Sequence, residues 1–399
     1  MSNKISYFGI IVTKTHMKIY LNNGSTSFPK PLEVTNAINE HLQALPGNYG
    51  RSGIDKSKGS IVSSTRKLIS DFFNGSESHN LVFTSGSTEA LNLAILGSIK
   101  EKCHIVTTAI EHNSVYRPLD KLKQVYGIEL TIVACDEFGN VSLNDIEKAI
   151  KADTNMIAIN HCSNITGAMT DIQAISEIAE RHDCILVIDG SQTAGVIPID
   201  LQKLNCHYFA FTGHKSLYGL QGCGGLFIRK DQNPEPLKFG GTGFKSDSLS
   251  QPHELPYKYE SGTLNIPGII SLNAGIEWIM ATGIDKIHER KDTIIKKIVD
   301  SISGYRGIRL YYSSINNSGT LLSFNIGQLP PEETHYWLET NYDIIARSGL
   351  MCSPVIRKYI GTEPLGAVRI SPSYFTTDEE VDYTINAIKA IAYNEEKLI

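Results

Sequence analysis

Between about Asn80 and Lys230, short and continuously apolar runs alternate with helical segments, and this constrains the fold more than any other feature. Residues 81–84, 104–107, 129–134, 156–160, 184–188, 207–212 and 225–229 read as strands. Residues 89–99, 115–126, a segment capped by Ser142, and one opened by Asp171 read as the helices between them. Strands that are apolar throughout, rather than at alternate positions, belong to a sheet covered on both faces. The expectation is an α/β domain whose mainly parallel sheet is sandwiched by helices.

After Gly268 the pattern changes. Residues 269–302 form one long helical stretch with an expected break at Gly283, followed by alternating strands at 321–326 and 367–371. Thr377 and Glu380 have capping-box spacing before a stripe of Val381, Ile385 and Ile388, which signals a closing helix. The expected division is a large domain over 31–268 and a smaller α+β domain built from 17–30 and 269–399. Residues 1–16 read as an extension, with a strand starting near Lys18.

Composition narrows the function classes. A net charge of −5 supplies no basic field for nucleic acid or anionic lipid, and no apolar run is long enough to span a bilayer. The 7 cysteines are odd in number and contain no C-x-x-C pair, which excludes a complete disulfide framework and speaks against a clustered metal site. Free thiols fit a reducing cytoplasm.

Three features at successive strand ends carry the chemistry. The turn 84–88 (Thr-Ser-Gly-Ser-Thr) leaves a buried strand and opens a helix, which makes it either a plain helix cap or an anion site suited to phosphate. Asp189 ends an apolar strand, where a carboxylate needs a cap or a cationic partner. Lys215 follows another apolar strand and is either a solvated loop residue or a desolvated amine with a lowered pKa. Nucleotide motifs fail: Gly213, His214, Lys215 and Ser216 lack the first glycine of a P-loop, and Gly222 and Gly224 lack the third glycine of a dinucleotide fingerprint. A phosphate cradle, an aspartate and a lysine at successive strand ends suit pyridoxal 5'-phosphate. Asp189 would keep the pyridine nitrogen protonated and Lys215 would carry the cofactor covalently.

The motifs Thr84 to Asn92, Glu111-His112-Asn113-Ser114, Ser163-Asn164 to Gly167, Asp189 to Gly195 with Gln192, and Thr212 to Lys215 occur in that order. In that register the chain resembles the class V aminotransferase family of pyridoxal-phosphate enzymes (fold type I), in its cysteine desulfurase branch. The resemblance implies that Ser87, Thr88, Thr212 and His214 bind the cofactor phosphate. It implies that His112 stacks on the pyridine ring and takes part in catalysis, and that Asn164 and Gln192 approach the ring hydroxyl. Thr242 would reach the phosphate of a neighbouring protomer, which implies a homodimer. Cys352 matches the nucleophilic cysteine, while Arg369 and Asn23 match substrate-binding positions, Arg369 as the clamp on an amino-acid carboxylate.

The chain departs from that pattern in two places. Met351, preceded by Leu350, stands where the branch commonly has histidine before the cysteine, and Ile54 ends a glycine-rich loop (47–53) that often ends in histidine. The implied activity is conversion of L-cysteine to L-alanine, with a persulfide on Cys352 passed to an acceptor protein. The same scaffold also serves selenocysteine lyases, C–S β-lyases and aminotransferases, and a non-enzyme sulfur carrier is a further alternative.

Overall fold

The structure is a computed structural model that describes residues 18–44, 60–313 and 317–396, with two short paired strands at Ser6–Tyr7 and Ile10–Ile11. The glycine-rich loop 47–53 and Ile54 lie outside the described residues, as does most of the 1–16 segment.

Seven strands form the main sheet, in the order His79–Thr84, Gly224–Arg229, Tyr208–Thr212, Ile185–Asp189, Thr154–Asn160, His104–Thr108 and Glu129–Val133. Gly224–Arg229 is antiparallel to both of its neighbours, and the other pairings are parallel. Side chains alternate across a strand, so a sheet apolar at every position must be covered twice. Leu186 and Ile188 pack on one face against Phe73, Phe209 and Ile276, while Val187 packs on the other against Leu91, Ile105 and Leu226. The mainly parallel, helix-covered sheet expected from the apolar runs is what forms.

The parallel strands all end on one edge, and this edge positions the site. Open α/β sheets bind ligands beyond those carboxyl ends. Thr84, Thr108, Asn160, Asp189 and Thr212 are the last residues of their strands, and the motifs quoted above are the loops that follow.

Helices Ile266–Thr282 and Ile284–Ile302 meet at Gly283, whose φ of 93° interrupts what would otherwise be one helix. Beyond them, strands Ile308–Tyr311, Leu322–Ile326, Ala367–Ile370 and Arg347–Gly349 make an antiparallel sheet in that order. Its apolar face packs on Ile294, Ile298, Leu338, Val381 and Ile388 of the surrounding helices. The closing helix Asp378–Glu396 starts with the expected capping box: Thr377 N donates to Glu380 Oε2 at 2.8 Å, and Glu380 N donates to Thr377 Oγ1 at 3.2 Å. The strand Ile19–Tyr20 pairs with Ile344–Ile345, which brings the N-terminal segment alongside this sheet. Among the described residues, no helix is long and apolar enough to cross a membrane.

Candidate active site

The phosphate-type turn comes first along the chain. Gly86 stands at the N-cap of helix Ser87–Ser98, and no side chain caps that end. First-turn N–H groups and the positive end of the helix dipole therefore face outward, as an anion site requires. Glycine is needed close by: a Cβ on Gly224 would come within 2.7 Å of Gly86 Cα and 2.5 Å of Phe211 O. That closeness lets the antiparallel strand pass directly behind the turn. Thr212 is buried with its hydroxyl facing Gly86, and His214 has a buried Nδ1 without a partner among the described residues. Burial, reinforced by Lys215 and Lys30, pushes the His214 imidazole down to about 4, so it is neutral and able to donate a hydrogen bond.

Asp189 is buried, and its Oδ1 accepts from Ser191 N at 2.9 Å and from the Ser191 hydroxyl. Lys215 forms no ion pair among the described residues. Burial pushes its amine down to about 8, against the opposing pull of Asp189. It is therefore the desolvated amine rather than the solvated loop residue. The loop that carries it is stapled by the N-terminal segment: the carbonyl of His214 accepts from Ser27 N (2.9 Å), Thr26 Oγ1 (3.1 Å) and Lys30 Nζ (3.3 Å).

His112 caps helix Asn113–Tyr126, with Nδ1 accepting from Ser114 N at 3.1 Å. Burial, assisted by Lys215 and Arg117, holds the ring below the usual histidine range despite Asp189. A neutral ring with its proton on Nε2 follows, as stacking on a cationic pyridinium would need. Glu111, one residue earlier, is wholly buried. It accepts from Thr108 Oγ1 (2.6 Å) and Asn160 N (3.0 Å), and burial raises its carboxyl to about 8. Glu111 thus brackets two strand ends as a neutral acid, one residue before His112.

Arg369 lies on an inner strand of the second sheet, 3% exposed, rather than facing outward. Its Nη1 donates to Asn164 O (2.8 Å), and its Nη2 donates to Ser25 Oγ (2.9 Å) and Asn22 Oδ1 (3.2 Å). Its Nε has no partner, and no carboxylate pairs with it among the described residues. Burial and the neighbouring Arg347 lower it to about 10. A buried guanidinium surrounded by neutral acceptors suits an incoming carboxylate. Replacing Arg369 with lysine should raise KM for the amino acid about 10- to 100-fold with a smaller change in kcat, because an ammonium cannot reproduce the fork. Steady-state kinetics check this, and an unchanged KM would remove the role.

Cys352 is the one exposed cysteine; Cys103 is partly covered and the remaining five are buried. Burial raises Cys162 and Cys184 to about 11 and Cys135, Cys206 and Cys223 to about 12, which keeps those thiols protonated. Cys352 is within electrostatic reach of both Lys215 and Arg369.

Lys215, Asp189, His112, Thr212, His214, Asn164, Gln192, Arg369 and Cys352 therefore converge on one strand-end edge, beside Ser87 and Thr88. Gln192 is tied to the N-terminal segment by donating to Gly24 O at 3.2 Å. Asn23 departs from the expected substrate contact. Its amide is occupied within the chain, with Nδ2 donating to Ser371 O (3.0 Å) and Oδ1 accepting from Phe28 N (2.9 Å). The adjacent Asn22 is the residue that touches Arg369. Thr242 is not brought to this edge; it lines a separate cleft with Arg66, Tyr257 and Glu260. Asn22, Ser25 and Ser191 escaped the sequence reading. The run of small polar residues 22–27 was the available signal for the first two.

The sequence profile described as Aminotransferase class-V matches residues 19–384. The chain belongs to this family. Within it, the chain is similar to a "Probable cysteine desulfurase" of Halalkalibacterium halodurans, 31% identical over 91% of this chain and 90% of the relative. A second "Probable cysteine desulfurase", from Methanothermobacter thermautotrophicus, is 31% identical over 94% of both chains. Among solved structures, the apo structure of a cysteine desulfurase from Thermococcus onnurineus matches with a TM-score of 0.87 and 30% identity, covering 94% of this chain and 95% of that one.

Proposed function

We propose that this chain is a pyridoxal-phosphate-dependent cysteine desulfurase that moves sulfur from L-cysteine to Cys352 and releases L-alanine. The observation that carries this reading is the convergence, at one sheet edge, of a desolvated amine, a buried guanidinium without an acid partner, and the one exposed thiol. The uncapped helix end at Gly86 and the unpartnered His214 Nδ1 fit a phosphate, and Asp189 fits a pyridine nitrogen. Ser87, Thr88, Thr212 and His214 would hold the phosphate, His112 the ring face, and Asn164 and Gln192 the side of the ring hydroxyl. When bound, the cofactor would supply an electron sink for the bonds at the substrate Cα.

Arg369 would take the substrate carboxylate and orient the amino acid. Lys215, as a free amine, would remove the Cα proton and return a proton to the product. The Cys352 thiolate would attack the substrate sulfur: an S–S bond forms, the substrate C–S bond breaks, and alanine leaves. The exposed position of Cys352 supports delivery to an acceptor protein that approaches from solvent. The separate cleft at Thr242 is compatible with service to a second copy in a homodimer, and the free cysteines support a reducing compartment such as the cytoplasm.

Incubation with cysteine, followed by intact-mass and peptide mapping, should find one added sulfur atom on Cys352 and stoichiometric alanine. Pyruvate with ammonia, or a keto acid, would replace this reading by a β-lyase or an aminotransferase. A pH dependence also follows. Lys215 accepts a proton only when neutral, so proton removal should rise about tenfold per pH unit below about 8 and level off above it. Loss of Cα deuterium from labelled cysteine, measured in Cys352→Ala to exclude thiol titration, checks this; a rate flat through pH 8 would exclude Lys215 as the base.

A further inference from the structure

We propose that Asn164 and Ser353 form a clamp that sets the position of the Cys352 thiol. The proposal rests on the reading of Cys352 as the sulfur-accepting group.

The loop that follows strand Arg347–Gly349 adopts an unfavourable backbone. Met351 and Cys352 are consecutive non-glycine residues in the left-handed region, with φ of 49° and 61°. Two such residues in succession persist only where the surroundings over-determine them. The holding contacts come from the strand-end loops of the main sheet. Asn164 Nδ2 donates to Met351 O at 2.7 Å, and Ser353 Oγ donates to Asn164 Oδ1 at 2.7 Å, so one amide grips the chain on both sides of the cysteine. Between those two contacts, Cys352 O accepts from Asn113 N at 2.9 Å, next to His112. Met351 turns inward, 7% exposed, into an apolar cluster with Ile110, Ile165, Tyr311 and Ile356. With the backbone of 351–353 tied down, the exposed residue of the three is Cys352 itself.

The same residue reaches the substrate side. Asn164 O accepts from Arg369 Nη1 at 2.8 Å, so the carboxylate clamp and the thiol loop share one support. A buried methionine offers no strong hydrogen bond with which to place a thiol; a buried amide with both ends engaged does. Ser353 is fully buried, and its hydroxyl donates to Asn164. It is a positioning residue, since it acts on the thiol through Asn164.

Ser353→Ala in the holoenzyme is the direct test. The cofactor absorption band and KM for cysteine should stay within about twofold of the parent, while kcat falls about tenfold, as loss of one buried hydrogen bond allows. Alkylation of Cys352 by iodoacetamide, followed by mass spectrometry, should change by about threefold or more in both cofactor-free and loaded protein, because a released loop presents its thiol differently. Asn164→Asp, which loses the donation to Met351 O, should change the alkylation rate in the cofactor-free protein as well. Alkylation rates within twofold of the parent in both variants, with unchanged kcat in Ser353→Ala, would overturn the clamp. The alkylation arm needs no turnover: a parent protein that forms no persulfide would defeat the desulfurase reading and still leave the clamp to be judged on thiol reactivity.

Discussion

Lys215→Ala is expected to lower alanine formation from cysteine by about 10⁴-fold or more, and to leave pyridoxal phosphate freely exchangeable on dialysis. Lys215 is the lysine that follows a strand end at this edge, on a loop pinned by the donors converging on His214 O. Its amine is held down to about 8 by burial, so about a tenth is unprotonated at pH 7, roughly a hundredfold or more above an ordinary lysine. Lys291 has a similarly lowered amine but is carried by helix Ile284–Ile302 rather than by a loop following a strand. The absorption spectrum after dialysis and the turnover rate check the prediction together. Retained tight binding and turnover would shift the covalent role to Lys291, and Lys291→Ala would then reproduce the loss.

Cys352→Ala should abolish persulfide and reduce alanine formation by about 10³-fold, while the cofactor spectrum and the pH-dependent loss of Cα deuterium persist. The separation is expected because Cys352 belongs to a loop of the second sheet, whereas the cofactor residues belong to strand ends of the first. The other cysteines cannot substitute. Five are buried with thiols raised to about 11 or 12, and burial also raises the partly covered Cys103. Alanine formed at an undiminished rate by the variant would mean that sulfur leaves without a protein thiol, and would end the Cys352 mechanism.

The sheet was legible because burial on both faces demands apolar residues at every strand position, a pattern independent of what the strands pair with. The capping box at Thr377 and Glu380 and the break at Gly283 were equally local. Asp189 and Lys215 could be singled out for the same reason: a charged residue directly after such a strand has few ways to be satisfied.

Other parts of the site depended on pairings between distant residues. Arg369 stands between apolar Val368 and Ile370, and strand alternation alone does not say which face of the strand meets the core. The antiparallel pairing with Leu322–Ile326 and Arg347–Gly349 turned it inward onto Asn164, Asn22 and Ser25. Asn23 and Asn22 are indistinguishable by residue type, and the bridge from Asn22 to Ser371 decides which of the two amides meets the guanidinium. By itself the sequence determined the layered α/β architecture and the residues that would meet at the strand ends, because hydrophobic periodicity and turn chemistry act over a few residues. Only the tertiary structure decided how Arg369 is held and how Asn164 grips the Cys352 loop. Those hydrogen bonds join residues nearly two hundred positions or more apart, and nothing in either local segment encodes the other.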